Sequence, residues 1–150
     1  MKNPKISYAV LACVELVELK KLLPFLKKHK QGNDEIVVLL DDETYTAGVE
    51  EIAYKYADKV KHRSLDKDFA AQKNALIEMC DGDYIFNIDA DELPHESLME
   101  ELHVVLQENP GVDVFYVPRV NTVEGITDNH IQEWRWRVNE KGWVNWPDPQ

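Results

Sequence analysis

Short apolar runs alternate with helical repeats along the first two thirds of the chain. Ile6 to Val14 (ISYAVLACV) reads as a buried strand, which the chain leaves through Glu15. Leu16, Leu19, Leu22, Leu23 and Leu26 then recur at helical spacing with lysines on the other face, predicting an amphipathic helix to about Lys30. Pro24 is expected to kink that helix or limit its length. After the turn residues Gln31-Gly32-Asn33, Glu35 to Leu40 (EIVVLL) is a second buried strand, ending in Asp41-Asp42. A helix is expected from about Ala47 to Tyr56, with Ile52, Ala53 and Tyr56 on one face, and a short strand from Lys59 to His62. Phe69, Ala70, Lys73, Asn74, Leu76 and Ile77 fall within another helix that ends near Asp81-Gly82, where Gly82 suits the left-handed position after a helix end. Tyr84 to Ile88 is the next strand.

Strand and helix alternating in this way predict an α/β domain, a central mostly parallel sheet flanked by helices. Beyond Pro94 a further helix is expected to about Glu108, stopped by Asn109-Pro110-Gly111. Val112 to Val120 (VDVFYVPRV) reads as a strand, and Glu133 to Val138 (EWRWRV) alternates with one face aromatic and the other cationic. No internal repeat or linker divides the chain, so residues 1–150 read as a single domain.

At 150 residues, 44% hydrophobic and 30% charged, the chain is large enough for one real core. No apolar run reaches the length of a membrane span. Glu15 and Glu18 interrupt the first apolar segment and no small-residue cleavage site follows, so it reads as a strand and helix rather than a signal peptide. Two cysteines, Cys13 and Cys80, without metal-type spacing favour a reducing, cytoplasmic setting. A net charge of −11 argues against a general nucleic-acid or anionic-membrane surface.

The charge matters most where it is placed. Ligands of open α/β sheets bind beyond the carboxyl ends of the strands. Two strands here end in acids, Asp41-Asp42 and Asp89/Asp91, so both pairs are expected at the same edge. Two carboxylates one residue apart can share a hard cation such as Mg²⁺ or Mn²⁺. The competing reading is that Asp91 caps the helix beginning near Pro94. A calcium loop is a poor match: DADELPHESLME has Pro94 where the sharp turn needs glycine and Leu93 where an oxygen ligand belongs.

The stretch FAAQKNALIEMCDGDYIFNIDADELP resembles the core of family-two glycosyltransferases, which have the GT-A fold and use nucleotide-sugar donors. ISYAVLACVE resembles their first strand and EIVVLLDD their second, so the resemblance covers essentially the whole chain. It implies a nucleotide-binding part over about residues 1–92 and an acceptor-side part over about 93–150. It also implies that Ala12 lies where the nucleotide base begins to be held, and that Asp42, with Asp41, accepts hydrogen bonds from uracil or ribose. Asp89 would lie near ribose and metal, with Ala90 beside it. Asp91 would be the more direct ligand of a Mn²⁺ or Mg²⁺ ion bridging the donor's phosphates. Arg63 and Lys73 stand where the family often places a basic residue facing the diphosphate or nucleobase, though each is also an ordinary surface cation. Glu92 is expected to cap or orient rather than to bind metal.

All four tryptophans, Trp134, Trp136, Trp143 and Trp146, fall in the tail. They either stack on an acceptor sugar, cover an open sheet edge, or form a homo-oligomer contact. WPDPQ resembles a family segment that elsewhere continues into a base-bearing extension. Because the chain stops at Gln150, the expectation is a truncated chain or a naturally minimal enzyme such as a phage encodes. Asp148 is then the first candidate for the general base, ahead of Glu133 and Glu124. The resemblance implies an inverting, metal-dependent transferase with a UDP-sugar donor and an acceptor that is a sugar, a lipid-linked sugar or a protein. A binding or regulatory module without efficient transfer is the second reading. A nucleotidyltransferase ranks below both, because ACVELVELKK lacks a glycine-rich loop.

Overall fold

The computed structural model describes residues 3–42 and 47–120. Four of the apolar runs are strands: β1 (Ile6–Ala12), β2 (Glu35–Asp41), β3 (Lys59–Arg63) and β4 (Tyr84–Asp89). They form one all-parallel sheet in the order β3-β2-β1-β4. The helices are α1 (Leu16–His29), α2 (Ala47–Tyr56), α3 (Phe69–Glu78) and α4 (Glu96–Glu108). Strands β1 and β2 are buried on both faces, which is why their apolar runs are continuous rather than alternating. On one face Ala9, Val37 and Leu39 pack with Leu76 and Met79 at the end of α3. On the other, Ile6, Tyr8, Val10, Ile36, Val38 and Leu40 lie buried beneath α1, α2 and α4, which meet one another through α1. The result is the expected αβα sandwich.

Several local expectations change. Pro24 does not end α1, which runs on to His29. The buried Leu26 beyond the proline keeps the last turn docked. Helix α3 stops at Glu78, three residues short of Asp81. Gly82 does not adopt a left-handed conformation. Its role is close approach: a Cβ there would lie 2.6 Å from both the backbone nitrogen and Oγ of Ser7. Gly82 donates its own N–H to that Oγ at 2.8 Å. Replacing Gly82 with alanine is therefore expected to destabilise the fold by about 1–3 kcal/mol, read from urea unfolding. The glycine that does need positive φ is Gly32, at +51° in the turn before β2.

The amino ends of the strands are stitched by carboxylates, of which Asp34 is buried. Asp34 accepts from the backbone N–H of Ile6 at 2.9 Å, Asp58 from Ile36 at 2.8 Å, and Asp83 from Lys5 at 2.9 Å. Each caps a parallel neighbour whose first N–H would otherwise lack a ladder partner. Asp34 also holds His103 of α4, Oδ2 to Nε2, at 2.9 Å. Glu35, 5% exposed, accepts from Ser7 Oγ at 2.6 Å and from the Asp81 N–H at 2.7 Å, and faces Lys59 Nζ at 3.1 Å. Lys59 in turn bonds the Met79 carbonyl and Asp81.

The chain divides into two compact units, residues 1–110 and 111–150. Of the second, residues 111–120 are described, and Val112 to Val120 is not a strand. Its apolar alternation is real, but a strand needs a partner to complete its ladder. Pro118 removes one donor from any such ladder. The Glu133 to Val138 strand expectation lies outside the described residues.

Candidate active site

Strand order alone points to one edge. The chain runs outward from β1 through β2 to β3, then returns to place β4 on the other side of β1. Crevices at such a reversal, beyond the carboxyl ends, are where open α/β sheets bind ligands. Ala12 closes β1 there, buried and opposite Leu40, and Ala90 follows β4, also buried. Two small side chains thus flank the switch point. Asp89 pairs in register with Leu11, and Asp41 with Arg63, so both acidic groups do reach the same edge.

On the β4 side, Asp89 and Asp91 are both exposed. The turn that carries them is locked by Glu92, whose side chain accepts from the Asp89 N–H at 2.9 Å while its own N–H donates to the Asp89 carbonyl at 2.9 Å. Glu92 therefore orients the turn. Asp91 does not cap α4: His95 does, accepting through Nδ1 from the Ser97 N–H at 3.1 Å. The carboxylate of Asp91 makes no hydrogen bond or ion pair among the described residues. Asp89 is faced by Lys73 of α3, Oδ1 to Nζ at 3.8 Å. Both partners are more than a third exposed, so this pair contributes at most about 1 kcal/mol to the fold.

On the β2 side the acids are more engaged. Asp41 accepts from the Leu65 N–H at 3.3 Å and lies 3.9 Å from Cys13 Sγ. Asp42 stays largely exposed, with His62 Nδ1 3.6 Å away. The other ring nitrogen of His62 meets Glu50 of α2 at 3.2 Å. Arg63 ends β3 beside them and borders a cavity of about 310 Å³ between β3 and α3. The β3–α3 turn that follows holds two non-glycine residues at positive φ, Asp66 at 46° and Lys67 at 57°. Such geometry is sterically disfavoured and persists only where neighbours enforce it. The Asp41 contact to Leu65 and the Asp68 cap on the Ala71 N–H enforce it from both sides.

Two residues of this edge escaped the sequence reading. Gln72 is 3% exposed and bonds Arg63 twice. Its signal was a polar residue one helical turn before Leu76, on the buried stripe of α3. His62 gave no signal beyond its place at the end of a short strand. Asp148, Glu133, Glu124 and the four tryptophans lie outside the described residues.

The donor chemistry fits a hard divalent cation. Asp89 and Asp91 offer oxygen ligands only, and among the described residues no third His, Cys, Asp or Glu joins them. Asp89 and Asp91 would hold such an ion, which would draw its remaining ligands from phosphate and water.

A parallel sheet with helices on both faces, whose strand order reverses around β1 and whose carboxyl edge carries acids, is an α/β domain of the GT-A type. The profile of Glycosyl transferase family 2 matches residues 7–149, and the chain belongs to that family. No curated protein matches it by sequence. Among solved structures, S. aureus TarS 1-349 superimposes with a TM-score of 0.58 at 17% identity, over 77% of this chain and 38% of that one. S. aureus TarS 1-349 in complex with UDP gives 0.60 at 16% identity, over 82% and 37%. The chain thus spans less than two fifths of either relative. No helix among the described residues is long and apolar enough to cross a membrane.

Proposed function

We propose that the chain is a metal-dependent glycosyltransferase that takes its sugar from a UDP-sugar and inverts the anomeric centre. The observation that carries the reading is the pair of acidic groups at one carboxyl edge, Asp41-Asp42 on one side of β1 and Asp89/Asp91 on the other. Asp42, exposed and with its carboxylate outside any short hydrogen bond, accepts from the ribose or uracil of the donor. Asp91 and Asp89 hold the cation, with Asp91 the closer ligand because nothing else occupies it. When bound, that cation neutralises the charge that builds on the diphosphate as the sugar departs. Lys73 and Arg63 add positive charge on the same edge. In the transfer, the acceptor hydroxyl attacks the anomeric carbon opposite the phosphate, the sugar–phosphate bond breaks, and the hydroxyl proton passes to a base. We assign that base to Asp148. The relative solved with UDP supports the choice of nucleotide, and the cytoplasm is where such a donor is made available.

The test is a screen of UDP-, GDP- and dTDP-sugars with Mn²⁺, scored by thermal shift and by nucleotide release. UDP is expected to bind about tenfold or more tightly with Mn²⁺ than without, by calorimetry. Equal affinity in both conditions removes the cation from the site. Silence toward every nucleotide sugar removes the reading as a whole.

A further inference from the structure

Gln72 sits where no solvent-facing role is open to it. It lies in the first turn of α3, buried to 3% exposure, and both ends of its amide are spent on Arg63. Nε2 donates to the Arg63 carbonyl at 2.8 Å, and Oε1 accepts from Arg63 Nη1 at 2.9 Å. The amide can be oriented only this way, because a guanidinium can only donate and a carbonyl can only accept. The same Arg63 carbonyl accepts the Asp42 N–H at 3.2 Å. Arg63 also pairs in register with Asp41. One buried amide therefore connects α3, the end of β3 and the end of β2.

Its effect on Arg63 is directional. Nη1 is held by Gln72 Oε1 and by the Ser64 carbonyl at 3.3 Å. The N–H groups on Nε and Nη2 have no partner among the described residues. An exposed arginine ordinarily loses considerable side-chain freedom on binding an anion. With one nitrogen anchored from below, much of that loss is met during folding, and the free edge of the planar fork is presented in advance.

We propose that Gln72 is a positioning residue for the donor nucleotide: it aims the Arg63 guanidinium at the end of β3. This rests on the reading of this edge as a nucleotide-sugar site. Gln72 itself does not touch the donor. The role requires Arg63 to act through its fixed geometry and not through charge alone.

Three variants test this: Gln72→Met, which keeps the volume, Arg63→Lys, which keeps the charge on an exposed residue, and Arg63→Ala. UDP affinity with Mn²⁺ is measured by calorimetry, with thermal melting as the control for folding. Gln72→Met and Arg63→Lys are each expected to weaken UDP about tenfold, the effect of losing one or two hydrogen bonds to a charged group. In an Arg63→Ala background, Gln72→Met is expected to add less than about a twofold loss. The ¹⁵N order parameter of the Arg63 side chain is expected to fall in Gln72→Met. Three results overturn the proposal while leaving the donor site standing: Arg63→Lys binding as tightly as wild type, Arg63→Ala binding as tightly as wild type, or Gln72→Met losing the same factor with and without Arg63. A wild-type chain that binds no UDP removes the donor-site reading and this proposal with it, and an ordered Arg63 side chain would then mark a purely structural clamp. Should Gln72→Met not fold, the Arg63→Lys result decides alone.

Discussion

Asp91→Ala is expected to erase the Mn²⁺-dependent gain in UDP affinity and to lower sugar transfer by at least about a hundredfold. Asp91 is an exposed carboxylate that makes no contact among the described residues, in a turn that Glu92 holds rigid from both ends. Its removal should therefore cost the fold little, and the melting temperature is expected to stay within a few degrees of wild type. Asp91→Asn tests charge against shape, since it keeps the size and one oxygen but weakens a hard-cation site. Asp89→Ala is expected to be the less specific change, because Lys73 lies 3.8 Å from that carboxylate and would be left without its partner. Calorimetry with and without Mn²⁺, together with a nucleotide-release assay, reads both variants. Undiminished Mn²⁺ dependence in Asp91→Ala would sink the assignment of this residue.

Glu35→Ala is expected to destabilise the fold by about 3–5 kcal/mol, the largest stability effect we predict. Burial opposes the Glu35 charge, but hydrogen bonds from Ser7 and the Asp81 backbone and the approach of Lys59 outweigh it, lowering the carboxyl from its ordinary 4.5 to about 2. Removing the carboxylate leaves Ser7 Oγ and the Asp81 N–H without their acceptor and takes one of the two acidic partners from Lys59, whose own proton is held more tightly by its bonds to Asp81 and Glu35. The folded chain binds this proton less readily than the unfolded chain does. The stabilisation is thus fully present above pH 4.5 and is lost as pH falls toward 2, about 3 kcal/mol across that window. Urea unfolding of wild type should show this decline between pH 5 and 2.5, and Glu35→Gln should flatten it. An equally steep decline in Glu35→Gln would place the acid sensitivity elsewhere.

Much of this molecule was legible because its two central strands, β1 and β2, are buried on both faces. AVLA and IVVLL leave no polar position to blur the reading, and β1, β2 and β4 begin where they were expected to. The placement of the Asp-x-Asp pair at the end of a strand was equally plain, and Asp89 does close β4. Local signals failed where tertiary contacts decided. Gly82 looked like a helix stop and is instead a spacer beside Ser7. Val112 to Val120 alternated like a strand but forms none, because alternation fixes which side chains share a face and not whether a ladder forms.

The sharpest division concerns the acids. Asp34-Glu35 and Asp41-Asp42 flank the same apolar run and look alike as sequence. In the fold, the first pair lies at the amino edge, buried and fully bonded to backbone N–H groups, Ser7, Lys59 and His103. The second lies at the carboxyl edge, where the strand order reverses around β1 and Asp42 remains open to solvent. Hydrophobic period and composition determined by themselves that this is an α/β domain with acids at strand ends. Which acids are built into the sheet and which stay open to solvent was decided only by the tertiary structure, because parallel strands bring their amino ends together at one edge, where Asp34 and Glu35 are buried, and their carboxyl ends at the other, where Asp42, Asp89 and Asp91 are exposed.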